Sequence, residues 1–170
     1  EMCIRDSKHM TRNAGFKHIF RILFVLVAWF GLAGHFNQIV LQRSADTALL
    51  RAVVSYFSYF TIQSNWLAAL WWSIAIFSQG LEPAPVILRP KVKGALTVYI
   101  SVTLIAFAVL LSKTYSPQGI DLVISNITHY ITPLAFIFDW VLFEKKRVYQ
   151  WKYAIDWLTY PLVYFIYAMA

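Results

Sequence analysis

Cysteine is almost missing from this chain. Cys3 is the only one, which excludes a disulfide framework, a thiolate metal cluster and a cysteine nucleophile. Charge is scarce too: Asp, Glu, Lys and Arg make up 14% of the residues against 59% apolar ones, and they gather in short clusters between long uncharged runs. That distribution excludes an ordinary soluble domain and fits a polytopic membrane protein. The 4 histidines are scattered without metal-ligand spacing, so neither a metal nor a cofactor is expected. No internal repeat, heptad or low-complexity segment occurs. The formal charge of +7 would suggest nucleic acid as the partner of a soluble protein. Here the basic residues flank apolar runs, so the expected partner is the bilayer with its lipid headgroups, and not nucleic acid.

The apolar runs must be helices. A bilayer offers backbone amides no water, so only helices or closed barrels span it, and these runs are too long for barrel strands. Five spans are predicted: Phe20 to Leu41, Val53 to Phe77, Ala95 to Ser112, Leu122 to Phe143 and Tyr153 to Ala170. The expected fold is therefore an all-α, polytopic transmembrane helix bundle. Between the second and third spans, GLEPAPVILRPKVKG carries three prolines and reads as a loop. The opening EMCIRDS resembles translated adapter sequence, with Met10 as the native start. Residues 1–9 are accordingly expected to lie outside a single transmembrane domain that covers 10–170.

Orientation follows from Lys and Arg. Arg5, Lys8, Arg12, Lys17 and Arg21 precede span one, Arg89, Lys91 and Lys93 precede span three, and Lys145, Lys146, Arg147 and Lys152 precede span five. Only Arg43, Arg51 and Lys113 fall on the other side. Twelve against three puts the N-terminus in the cytoplasm. Span five stops at Ala170 without a basic flank, so a truncated chain with a sixth helix to follow is expected.

Two polar cassettes interrupt this apolar background, YFTIQSN around Thr61 and SNITHYITP around His129. Thr61 lies roughly ten residues, or about 15 Å of helix, inward from Arg51, and His129 roughly eight residues, or about 12 Å, inward from Asp121. The two are level within a helical turn, in the non-cytoplasmic half of the bilayer. Ser58, Thr61, Ser64 and Asn65 share one helical face, as do Ser125, His129 and Thr132, with Asn126 at the stripe's edge. Pro133 has no N–H and crowds the carbonyl four residues back, so it predicts a kink at His129 that makes room for a ligand.

A hydroxyl beside an imidazole is the minimum for acyl transfer: neutral histidine takes the threonine proton and the alkoxide attacks an ester carbonyl. Ser64, Asn65, Ser125 and Asn126 are candidates to line the substrate or to hold the developing oxyanion. Against this stand blander roles, since Ser and Thr in membrane helices bond back to the preceding turn and Ser, Asn and His also glue helices together. Asp139 and Asp156 are expected to pair with the basic loop KKRVYQWK. His35, beside Gly31 and Gly34, is expected to mark close helix packing.

YFTIQSN in span two, HYITPL followed by FDW in span four, and DWLTYPLVYFIYA in span five resemble the androgen-induced family of six-helix membrane proteins and its bacterial relatives. That resemblance runs from span one to the end of the chain and is specific in the two cassettes. It implies hydrolysis of fatty acid esters of hydroxy fatty acids, with Thr61 as nucleophile and His129 as its partner. A further helix after span five belongs to the family pattern and is not in this chain. The alternative is a non-enzymatic multi-pass protein, a lipid-binding sensor or small transporter whose polar stripe only packs helices or lines a path.

Overall fold

The computed structural model describes residues 2–80 and 83–169, without the side chains of residues 2–13 and Lys146. The expected end of the fifth span at Ala170 therefore lies outside the described residues, as do the side chains of Arg5, Lys8 and Arg12. Within the described range the chain is helical and contains no strand. Helix α1 (Met2–Phe36) widens into a π turn at Asn37–Leu41. Helices α2 (Leu49–Ser58) and α3 (Phe60–Phe77) follow, then α4 (Pro90–Ala106), which ends in a second π turn at Phe107–Leu111. Helix α5 (Ile120–Asn126) passes through a third π turn, Ile127–Ile131, into α6 (Thr132–Phe143), and α7 covers Lys152–Met169.

Among the described residues, three helices are long and apolar enough to cross a membrane: Ala14–Leu41, Pro90–Leu111 and Ile120–Phe143. The second expected span is not one helix. The backbone turns extended at Tyr59 (φ −77°, ψ 125°) and separates α2 from α3. Neither piece matches the three long spans, because α2 has 10 residues and α3 carries Gln63, Ser64 and Asn65. The expected loop before span three is shorter than its prolines suggest. Pro90 opens α4 instead of preceding it, since a first-turn N–H has no helical acceptor and proline loses nothing there. Helix α7 has no buried residue and lies against α4.

The core forms where α1 packs on α3, α3 on α4, and α4 on α6. Trp72, Phe136, Ile100 and Leu32 are completely buried or nearly so, and the Trp72 and Phe136 rings meet edge-on at 5.0 Å. A Cβ on Gly31 would come within 2.6 Å of Ile127, and one on Gly34 within 2.6 Å of Ile124. The two glycines thus let α1 approach α5 and the third π turn. A charged cluster joins the helices at one end of this core. Asp139 accepts both Arg21 Nε at 2.8 Å and Nη2 at 3.0 Å, and Trp72 Nε1 at 3.1 Å, while Lys93 Nζ pairs with it at 3.0 Å. Lys93 also sits over the Phe136 and Trp71 rings, 3.3 and 3.7 Å from their centres. This corrects the expected partners of both aspartates. Asp139 turns inward to α1 and α4 rather than to KKRVYQWK, and Asp156 pairs with Lys91 at 2.6 Å.

Candidate active site

At the far end of α1, α4 and α5 from that cluster lies a cavity of about 570 Å³, within the size range of small-molecule sites. Thr61 and His129 both line it, together with His35, Gln38, Asp121 and Phe107. All three π turns contribute to its wall: Gln38 and Ile39 from the first, Phe107 and Leu111 from the second, His129 from the third. A π turn carries one extra residue and opens the helix locally, which is why such turns recur at functional sites. The expected disturbance at Pro133 takes this form. Thr132 N–H reaches back five residues to the Ile127 carbonyl, and Pro133 follows in the first turn of α6.

His129 is nine-tenths buried, with its ring stacked on Phe107 at 3.8 Å. Its Nδ1 lies 2.9 Å from the Ser125 carbonyl, which can only accept, so Nδ1 carries the proton. Nε2 is then the basic nitrogen, and it has no hydrogen-bond partner among the described residues. His35 stands edge-on to His129 at 6.2 Å. Thr128 donates its hydroxyl proton back to the Ile124 carbonyl at 3.1 Å, so His35 Nε2 donates to Thr128 Oγ1 at 3.0 Å. Glycines beside His35 do mark close packing, but the imidazole itself faces the cavity as well. The sequence held a signal for this: His35, Gln38 and Gln42 recur at helical spacing, and all three line the cavity.

Thr61 is half-buried at the start of α3, and its hydroxyl makes no hydrogen bond to any described residue. The back-bonding common for threonine is denied to it, because the residue four positions earlier belongs to another helix. Its carbonyl, by contrast, accepts Ser64 Oγ at 3.1 Å and Asn65 Nδ2 at 2.8 Å. Asn65 Nδ2 also donates to the Thr128 carbonyl at 2.9 Å and ties the turn of Thr61 to the turn of His129. Both Asn65 donors are spent in this way, and Ser64 shares a further bond with Thr103 at 2.7 Å. Ser125 Oγ lies 3.3 Å from His129 Nδ1, on the side away from Nε2. Asn126 does not line the cavity, Thr132 Oγ1 is buried without a partner among the described residues, and Ser58 turns to Tyr167 on α7 at 2.8 Å.

The geometry thus gathers a free hydroxyl, a tautomerically fixed imidazole and an apolar wall around one space. Among the described residues, no three His, Cys, Asp or Glu side chains converge as metal ligands would. Comparison of the chain with protein families, characterised proteins and solved structures finds no match.

Proposed function

We propose that the protein is a membrane-embedded ester hydrolase in which Thr61 is the nucleophile and His129 its general base. One observation carries this reading: residues from two separate helices, Thr61 and His129, line a single cavity with the hydroxyl and Nε2 both uncommitted. Polar groups in apolar surroundings are normally satisfied, and these two are left open toward the same cavity. The imidazole takes the hydroxyl proton as Thr61 Oγ attacks the ester carbonyl, then returns it to the departing alcohol. Phe107, Leu111, Ile39 and Ile62 provide an apolar wall suited to an acyl chain. The resemblance of the two cassettes to the androgen-induced family favours a fatty acid ester, of the hydroxy fatty acid type, as substrate.

In this reading the chain crosses the membrane several times with its N-terminus in the cytoplasm. Support comes from the basic flanks of Ala14–Leu41 and Pro90–Leu111, which carry Lys17 and Arg21, and Arg89, Lys91 and Lys93, at the Arg21 end, against Arg43 and Lys113 alone beyond the opposite ends. The test is labelling of the purified chain in lipid nanodiscs by a fluorophosphonate, which reacts only with an activated hydroxyl. Labelling of wild type and of Thr61→Ser, with loss in Thr61→Ala, is expected. Equal labelling of Thr61→Ala would end the assignment and leave a lipid-binding cavity.

A further inference from the structure

The break at Tyr59 falls where an apolar helix has every reason to continue, and hydrogen bonds hold it open. In an unbroken helix the N–H groups of Phe60, Thr61 and Ile62 would bond the carbonyls of Tyr56, Phe57 and Ser58. Each of those carbonyls has another donor here: Tyr59 N–H for Tyr56 at 3.5 Å, Gln63 Nε2 for Phe57 at 2.7 Å, and the Tyr164 hydroxyl for Ser58 at 2.9 Å. The same Tyr164 oxygen accepts Phe60 N–H at 3.0 Å, so one phenol from α7 bridges the two sides of the break. The N–H groups of Thr61 and Ile62 are left without an acceptor among the described residues. Both residues line the cavity.

Free N–H groups at the start of an 18-residue helix carry the positive end of its dipole and favour negative charge. A second observation independently points to a ligand in this space. His129, nine-tenths buried, lines the same cavity, and its Nε2 has no partner among the described residues. We infer that the first turn of α3 is the oxyanion-binding element of the site, with the backbone N–H groups of Thr61 and Ile62 as donors and Tyr164 as the residue that positions the turn. This rests on the acyl-transfer reading above.

The step balances within the site. The bond from Thr61 Oγ to the acyl carbon forms as the hydroxyl proton moves to His129 Nε2, and the carbonyl π pair moves onto oxygen, where the two N–H groups receive it. The pair returns as the bond to the alcohol oxygen breaks, and the alcohol leaves with the proton from His129. Water then attacks the acyl-threonine by the same route, releasing the carboxylic acid and restoring Thr61. An unbroken α2–α3 helix could not do this, because its own carbonyls would occupy both donors.

The test uses the full chain in nanodiscs and the p-nitrophenyl ester of a long-chain fatty acid. Replacing Ile62 by its α-hydroxy acid analogue turns one backbone amide into an ester and deletes a single N–H without touching any side chain. A fall in kcat of about 10²- to 10³-fold, with KM changed by less than about threefold, is expected for an oxyanion donor. Tyr164→Phe, which keeps the ring and removes the bridging oxygen, should lower kcat by at least about tenfold with KM again held. Should Tyr164→Phe fail to fold, the Ile62 ester decides alone. An unchanged kcat in the Ile62 ester overturns the inference while leaving the hydrolase reading intact. Absence of both hydrolysis and fluorophosphonate labelling in the unmodified chain overturns the two together.

Discussion

At the Arg21 end of the bundle, Asp139 receives a guanidinium, an ammonium and an indole N–H, and every charge there has its counter-charge within reach. At the other end, His129, some ten residues earlier along the same α5–α6 rod, lines a cavity with Thr61 of α3, and a ring nitrogen and a hydroxyl there are uncommitted among the described residues. Both clusters place polar chemistry among apolar helices. The first closes on itself and joins α1, α3, α4 and α6, whereas the second is closed on one side only, with Nδ1 held by Ser125 and the ring lining the cavity. Burial alone therefore does not separate the two clusters, whereas the pairing of charge at the first and the open cavity at the second do.

Four substitutions sharpen or break that contrast. The largest effect is expected at the open cluster: Thr61→Ala and His129→Ala should each lower hydrolysis by about 10³-fold or more, and the double variant should resemble either single one, because base and nucleophile act as a unit. Ester turnover checks the rate, and thermal unfolding in detergent should show little change for either variant. A large loss of stability in Thr61→Ala would make it a structural residue. At the closed cluster the expectation reverses. Asp139→Asn leaves Arg21 and Lys93 buried without their shared anion and should cost about 3–5 kcal/mol. Unfolding curves measure that loss, while probe labelling per folded molecule should persist; loss of labelling at normal stability would erase the distinction between the two ends. The smallest effect is predicted for Ser125→Ala. The backbone carbonyl at 2.9 Å fixes the imidazole and survives the substitution, whereas the hydroxyl lies at 3.3 Å. A reduction in kcat of about threefold or less is expected, and a loss comparable to that of His129→Ala would mean that the hydroxyl sets the tautomer.

Much of the scaffold is legible in the chain because a bilayer leaves so few options for apolar runs. The spans that became Ala14–Leu41, Pro90–Leu111 and Ile120–Phe143 differ from their expected limits chiefly at the N-terminal ends. The cassettes around Thr61 and His129 are visible for the same reason, since polar residues stand out where few belong. The break at Tyr59 is not visible: Ser58-Tyr59-Phe60 contains neither glycine nor proline, and the bonds that hold it open come from Tyr164, 104 residues from Phe60. The partners of Asp139 were hidden likewise. Sequence proximity favoured KKRVYQWK, but Arg21, 118 residues away, is what packing brings to it. Local pattern reports what a segment can do alone, and both of these features are settled by its neighbours.

The three widened turns around the cavity also have a consequence for the phase of the helices that contain them. Each π turn inserts one residue into an otherwise regular coil, and one residue corresponds to about 100° of rotation about the helix axis. Everything C-terminal to Ile127–Ile131, Asp139 included, is therefore dialled by that inserted residue onto the side of α6 where Arg21 and Lys93 wait. Loss of one residue there would restore an ideal helix and swing the carboxylate away from both cations. The irregularity that shapes the cavity is thus also the offset that keeps the two ends of the rod in step.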